Sequence, residues 1–195
     1  MLEITSGQSG LRSLIQRALV LDENALVRAS DLGDGSLDIF VTTPFQTIAA
    51  RRVTGTMSST GTVFRASDMS ETFAASWPGA LPPISGYQLL DDIPTAVVSK
   101  LAEQGQALAR QFSGPLGPPS SLLEQEVITV DGHGQEAHIP MRMIFTCTAL
   151  GLIPGFSAPA DIPRHLRVSV LGRWTRLDAP FGSVYRSTGL PLLFS

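Results

Sequence analysis

The strongest constraint on the fold is a segment of alternating side chains that directly follows a compact turn signal. Leu37, Ile39 and Val41 alternate with Asp38, Phe40 and Thr42. Successive side chains of a strand point to opposite faces of a sheet, and the preceding Gly33-Asp34-Gly35 favours a tight turn. The pattern therefore predicts a β-hairpin between residues 25–29 and 37–42, so the chain must contain antiparallel sheet.

Two other segments carry the three-to-four-residue periodicity of amphipathic helices. The first apolar stripe consists of Leu11, Leu14, Ile15, Ala18 and Leu19. The second consists of Val97, Val98, Leu101, Leu108 and Phe112. We expect the first helix to begin at Ser9 as its N-cap and the second to run from Pro94 to Gly114. Asp68 and Glu71 have the spacing of a capping box and predict a short helix through residue 73.

Residues 45–53 predict a further strand, which we expect at a sheet edge because Pro44 cannot donate a backbone hydrogen bond. Arg51 and Arg52 should lie on opposite faces of this strand, because side chains alternate. Residues 140–153 fit either a buried helix with Pro140 in its first turn or an alternating strand, and we favour the helix. Residues 166–177 predict a hairpin centred on Gly172.

Together these elements predict an α+β fold, with an N-terminal antiparallel meander and its helices followed by a C-terminal helix plus β-hairpin. That last order also occurs in winged-helix domains. Residues 114–119 hold the densest run of glycine and proline, which favours a boundary or semi-rigid linker. We therefore divide the chain into an N-terminal subdomain, residues 1–114, and a C-terminal subdomain, residues 120–195, and leave open whether they share one core.

Composition limits the classes of partner and compartment. The formal charge of the 195-residue chain is −3, which disfavours nucleic acid as a partner unless a local patch binds it. A single cysteine, Cys147, cannot form an internal disulfide, and no run approaches the ~20 apolar residues of a membrane span. We expect a cytoplasmic protein without a membrane segment.

The side chains that could carry chemistry are scattered. His133 and His138 lie near Asp131 and Glu136, but their spacing matches no established metal motif. Cys147 is surrounded by apolar residues, which predicts a packed core thiol rather than a nucleophile. The sequence therefore predicts no catalytic, cofactor-binding or metal-binding residue, and no cofactor.

The most suggestive constellation is the C-terminal hairpin, whose side chains are those that dominate binding hot spots. This candidate interaction surface consists of Arg167, Arg173, Trp174 and Arg176. Our leading hypothesis is a non-enzymatic interaction or scaffold protein that binds a protein partner or a second copy of itself, as in a homodimer. The alternatives are a winged-helix DNA-binding protein and a small-molecule-binding sensor.

A family resemblance rests on residues 19–28, on Pro44-Phe45, on Gly172-Arg173-Trp174 and on residues 179–182. In these segments the chain resembles a family of uncharacterised hypothetical proteins from high-GC Gram-positive bacteria. The resemblance implies a bacterial cytosolic protein and transfers no functional residue.

Overall fold

A computed structural model describes residues 1–115 and 117–188 of the chain. The strands are β1 (Leu2–Ser6), β2 (Leu26–Asp31), β3 (Ser36–Thr42), β4 (Ile48–Met57), β5 (Val63–Arg65), β6 (Glu71–Thr72), β7 (Gln88–Pro94), β8 (Glu126–Gly132), β9 (Gln135–Pro140), β10 (His165–Leu171), β11 (Trp174–Ala179) and β12 (Gly182–Ser187). The helices are α1 (Gln8–Leu21), α2 (Thr95–Phe112), α3 (Ser120–Glu124) and α4 (Met141–Ala149). The mixed α+β class predicted from the sequence is confirmed.

Ten strands form one antiparallel sheet, in the order β6-β5-β2-β3-β4-β12-β11-β10-β7, with β1 paired to β4 outside this path. Strands β8 and β9 form a separate hairpin. The two halves of the large sheet meet where β4 pairs with β12, and Ala50 lies opposite Ser183 there. We call this line the seam.

The same unit, a helix followed by a three-stranded meander, occurs on each side of the seam. It is α1 with β2, β3 and β4 on one side, and α4 with β10, β11 and β12 on the other. Because the last strand of each unit pairs antiparallel with the other, the units are arranged with approximate twofold symmetry. The seam is therefore the centre of the sheet.

The two faces of the sheet have different coverings. Leu37, Ile39 and Val41 are fully buried in the main core, where α1, α2 and α4 pack. On the opposite face Phe40 belongs to a second apolar cluster that includes Trp77. The alternation seen in the sequence is thus confirmed as a hairpin, but both of its faces are covered along this stretch.

Strand β4 corrects the prediction of an edge strand. It pairs with β3 along one side and with β12 and β1 along the other, so it is central. Pro44 lies in the turn before the strand, which begins at Ile48. Its lack of a backbone N–H group therefore removes no hydrogen bond from the sheet. Arg51 and Arg52 do lie on opposite faces, as predicted, since Arg51 extends towards Gly10 of α1 and Arg52 bonds to Asp38.

The helix predicted from Asp68 and Glu71 is wrong. The Asp68 carboxylate accepts a hydrogen bond from the backbone of Ser70, and Met69 has a φ of 56°, which ends any helical path. The chain continues as the short strand β6. The other helices are confirmed: α1 begins at Gln8, one residue before the predicted N-cap, and residues 140–153 contain the helix α4.

The C-terminal hairpin is not a free wing. Strand β10 pairs with β7 and β11 pairs with β12, so both sides of the hairpin are taken up inside the large sheet. The winged-helix expectation is therefore corrected.

The main core is continuous across the predicted subdomains, since Leu11 and Val184 belong to the same cluster of buried residues. Strand β7, within the predicted N-terminal subdomain, pairs with β10 of the C-terminal one. The division at 114–119 stays a prediction. Leu116 of this linker and the last seven residues of the C-terminal subdomain, 189–195, lie outside the described residues.

Candidate functional site

A cleft of about 440 Å³ opens on the outer face of the sheet, at the seam. It is the candidate site because strands from both halves of the chain contribute its walls. Its charged and polar side chains are Asp38, Arg52, Arg167, Arg176, Asp178, Ser183 and Tyr185, whereas the guanidinium of Arg51, which also lines it, lies on the helical side of the sheet beside Gly10. We call it the seam cleft.

On one side of the seam, Arg52 and Asp38 form a two-pronged ion pair. They lie in direct register on β4 and β3, and the Arg52 Nε and Nη2 donate to the two Asp38 carboxylate oxygens at 2.8 and 2.9 Å. The Asp38 side chain is 7% exposed and that of Arg52 is 60% exposed. The hydrogen bonds to Asp38 raise the pKa of Arg52. Asp38 is thus a buried acid that holds an exposed cation in place.

On the other side, Arg176 and Asp178 form a second pair at 2.9 Å along β11. The Arg176 guanidinium carbon lies 4.2 Å from the centre of the Tyr87 ring, a cation–π arrangement. The Ser183 hydroxyl donates to the other oxygen of Asp178 at 2.6 Å. These contacts fix Arg176 in one orientation at the wall of the cleft.

Tyr185 lies between the two pairs. Its side chain is buried, and its ring contacts those of Phe40 and Tyr87 at centre-to-centre distances of 5.8 and 6.1 Å. Burial, with a smaller contribution from Asp38, raises the pKa of Tyr185 to about 12. Burial likewise raises the pKa of Tyr87. Both phenols are therefore neutral at physiological pH.

The structure separates the four residues of the predicted interaction surface. Arg167 and Arg176 both line the seam cleft. Trp174 is 8% exposed and packs in the second apolar cluster, whereas Arg173 is exposed in the turn of the hairpin. The four residues thus span a cleft wall, a buried cluster and a turn, and their shared role in binding stays a prediction.

Among the described residues, the seam cleft has no histidine or thiol beside its hydroxyl groups. Its hydroxyl nucleophile would be Ser183, but the partner of that hydroxyl is Asp178, and none of the three histidines lines the cleft. Cys147 is buried in the core, where burial raises the pKa of its thiol to about 12. The cleft can hold charged or polar groups, and the carboxylate beside its Ser183 hydroxyl is already paired with Arg176.

The predicted histidines lie elsewhere. His138 on β9 contacts Glu136 at 2.8 Å and Glu126 at 3.3 Å, and His133 lies in the β8–β9 turn with a φ of 49°. Within residues 1–115 and 117–188, no group of three or more histidine, cysteine or acidic side chains could hold a metal ion. In the same residues, no helix is both long and apolar enough to cross a membrane.

Sequence reasoning missed half of the seam cleft. The sequence places Asp38 and Arg52 only on strand faces. The available signal was the placement of Asp38 and Arg52 on adjacent strands of one hairpin. Their proximity to Arg176 depends on the pairing of β4 with β12, which joins segments about 130 residues apart and has no local signature.

Solved structures that resemble this chain include DNA polymerase sliding clamps. A clamp from Bartonella birtlesii has a TM-score of 0.55 and 10% identity, and the match covers 97% of this chain and 66% of the clamp. A Pseudomonas aeruginosa clamp has a TM-score of 0.55 and 12% identity, and the match covers 97% of this chain and 66% of the clamp. Caulobacter crescentus pol III beta has a TM-score of 0.56 and 8% identity, and the match covers 100% of this chain and 67% of that protein. The fold is therefore of the sliding-clamp type, and the chain spans about two thirds of the length of these clamps.

The chain belongs to the family defined by the domain of unknown function DUF8185, whose model matches residues 82–191. Residues 2–86 match a second domain of unknown function, DUF8010. Membership of an uncharacterised family, inferred above from resemblance, is confirmed, whereas the bacterial group stays a prediction. No curated protein matches the chain.

Proposed function

We propose that this chain is a non-enzymatic interaction or scaffold protein that binds a protein partner through the seam cleft. The observation that carries the proposal is the construction of the cleft. Arg52 and Arg176 are each held by a carboxylate, and the buried ring of Tyr185 lies between them. Fixed arginines and aromatic rings are typical of binding hot spots, whereas a catalytic site needs a nucleophile or a base of suitable pKa.

The fold likeness supports a role within an assembly. The Bartonella clamp is named as a subunit of DNA polymerase III, so the same fold serves there as part of a larger complex. At 8–12% identity the likeness concerns the fold, and we carry over only the expectation of a subunit-like role. We further propose that the protein acts in the cytoplasm and can associate with a second copy of itself.

A DNA-related scaffold role is the second candidate, and the clamp fold is the observation that favours it. The helical layer offers only a few cations for direct DNA contact. Its exposed or half-buried basic side chains include Arg12, Arg17, Lys100 and Arg110, with Glu103 among them, and the whole chain carries −3. Phosphate contacts dominate affinity for DNA, so few cations predict weak binding.

Two measurements test the proposal. A broad screen for hydrolase and transferase turnover should find none, and robust turnover abolished by one point substitution would overturn it. Sedimentation analysis over a range of protein concentrations should show self-association, and a strictly monomeric protein would remove that part of the proposal. Binding to duplex DNA at low salt, lost as salt rises, would favour the second candidate instead.

A further inference from the structure

We infer that the seam cleft binds the carboxylate groups of a short acidic peptide segment in which an apolar residue adjoins the acid. This inference rests on the proposed function, because it names the chemistry of the partner at the same site. Its first support is electrostatic. Three arginines, Arg52, Arg167 and Arg176, present their side chains to the cleft beside two aspartates, so it is cationic, although the chain as a whole carries −3. A concave site of one sign concentrates ligands of the other sign.

The second support is the supply of unused donors. Arg167 is exposed at the cleft wall, and its side chain forms no hydrogen bond or ion pair with the described residues. Arg52 directs Nε and Nη2 at Asp38, which leaves Nη1 for another acceptor. Each guanidinium has five N–H groups, so these two side chains offer several donors to an incoming anion.

The third support is the geometry that the cleft already displays. The Asp38 carboxylate is held by Arg52 through two parallel hydrogen bonds of 2.8 and 2.9 Å. A planar guanidinium suits a planar carboxylate in this two-pronged arrangement. Arg167 can therefore bind a peptide carboxylate in the way Arg52 binds Asp38.

The composition of the cleft distinguishes a peptide from a nucleic acid. Asp38 and Asp178 lie within it, and they repel a row of closely spaced backbone phosphates more strongly than a single carboxylate. Ala179, Pro180 and Phe181 add an apolar end to the wall, which suits an apolar side chain. A volume of about 440 Å³ accommodates a few side chains rather than a length of polynucleotide.

The test measures fluorescence anisotropy of labelled peptides with the full chain at low salt. The probe is a six-residue peptide of alternating glutamate and leucine, and its matched control has glutamine in place of glutamate. We expect the glutamate peptide to bind about tenfold more tightly, because it alone makes charge-assisted hydrogen bonds. Equal binding of the two peptides, or no binding of the glutamate peptide, would overturn the inference.

Arg167→Gln is the informative variant, because this side chain is exposed and its loss should leave the fold intact. We expect it to weaken binding of the glutamate peptide by about fivefold or more, with Arg167→Lys intermediate and the exposed Arg65→Gln unchanged. An unchanged affinity in Arg167→Gln would overturn the inference. So would stronger competition from inorganic phosphate than from free acetate.

The outcomes separate this inference from the proposed function. If the glutamate and glutamine peptides bind equally while the protein still self-associates and shows no turnover, the carboxylate chemistry is wrong and the interaction role stands. If turnover appears, the proposed function itself fails.

Discussion

Arg52 and Asp38 stand directly opposite each other on β4 and β3, and two hydrogen bonds of 2.8 and 2.9 Å join the guanidinium to a carboxylate that is almost fully buried. The pair gives the outer face of the sheet a fixed cation beside the seam. Its burial is one-sided, since the acid is enclosed and the arginine is in contact with solvent.

This asymmetry predicts unequal costs of substitution. Arg52→Ala should lower the free energy of unfolding by about 1–3 kcal/mol, because it leaves the Asp38 carboxylate enclosed without its partner. The double variant Asp38→Ala with Arg52→Ala should cost less than the sum of the single variants. Urea unfolding of the four proteins in this cycle measures the coupling. Arg65→Ala serves as the control and should change stability by less than about 0.5 kcal/mol.

Gly105 predicts a tight contact between two helices. A methyl group added to this residue of α2 would lie 2.7 Å from a ring carbon of Phe145 and 2.8 Å from the sulfur of Met141, both on α4. Gly105→Ala should therefore lower the melting temperature by an amount equivalent to about 1–3 kcal/mol, although alanine is the better helix former. Glu103→Ala, at an exposed position of the same helix, should be nearly neutral. A stabilised Gly105→Ala would show that the two helices can separate without cost.

Trp77 covers the second apolar cluster, although it belongs to a loop. It is 5% exposed and packs in the same cluster as Trp174, and the chain has no other tryptophan. Trp77→Ala should destabilise the fold by about 3–5 kcal/mol, because it removes a large buried ring. Trp77→Phe should cost less and leave Trp174 as the only tryptophan. Its emission should be blue-shifted in the folded state and move to longer wavelength on unfolding.

Tyr185 predicts a loss of stability in alkaline solution. Its pKa is about 12 in the folded chain and about 10 when unfolded. Below pH ~10 both states keep the proton, so the stabilisation is fully present. Between the two values only the unfolded chain releases it, so the free energy of unfolding falls by up to about 1.4 kcal/mol per pH unit.

Urea unfolding at a series of pH values, with Tyr185→Phe as the comparison, measures this effect. The variant should lose part of the alkaline slope while keeping the ring contacts with Phe40 and Tyr87. The remaining slope is expected from Tyr87 and Cys147, whose pKa values burial also raises. An identical slope in both proteins would contradict the placement of the Tyr185 phenol in a water-poor site.

Elements formed by residues close together in the sequence were predicted correctly more often than contacts between distant segments. The spacing of Leu11, Leu14 and Ala18 predicts α1 because all three bury against one core within a few turns. The β2–β3 hairpin is equally local, since a tight turn joins its strands. The helix predicted after Asp68 failed because the same aspartate can cap a tight turn, and only the conformation of Met69 distinguishes the two.

The sequence by itself determined the α+β class, most helices and strands, the buried thiol of Cys147 and the alternation that sends Arg51 and Arg52 to opposite faces. Only the tertiary structure decided that β4 is central and that it pairs with β12. The reason is physical: alternation records which side chains are buried, whereas pairing between distant strands depends on backbone hydrogen bonds that every residue type except proline can donate and accept. The seam cleft arises from such pairing, so the sequence shows its arginines but does not predict that they lie close together.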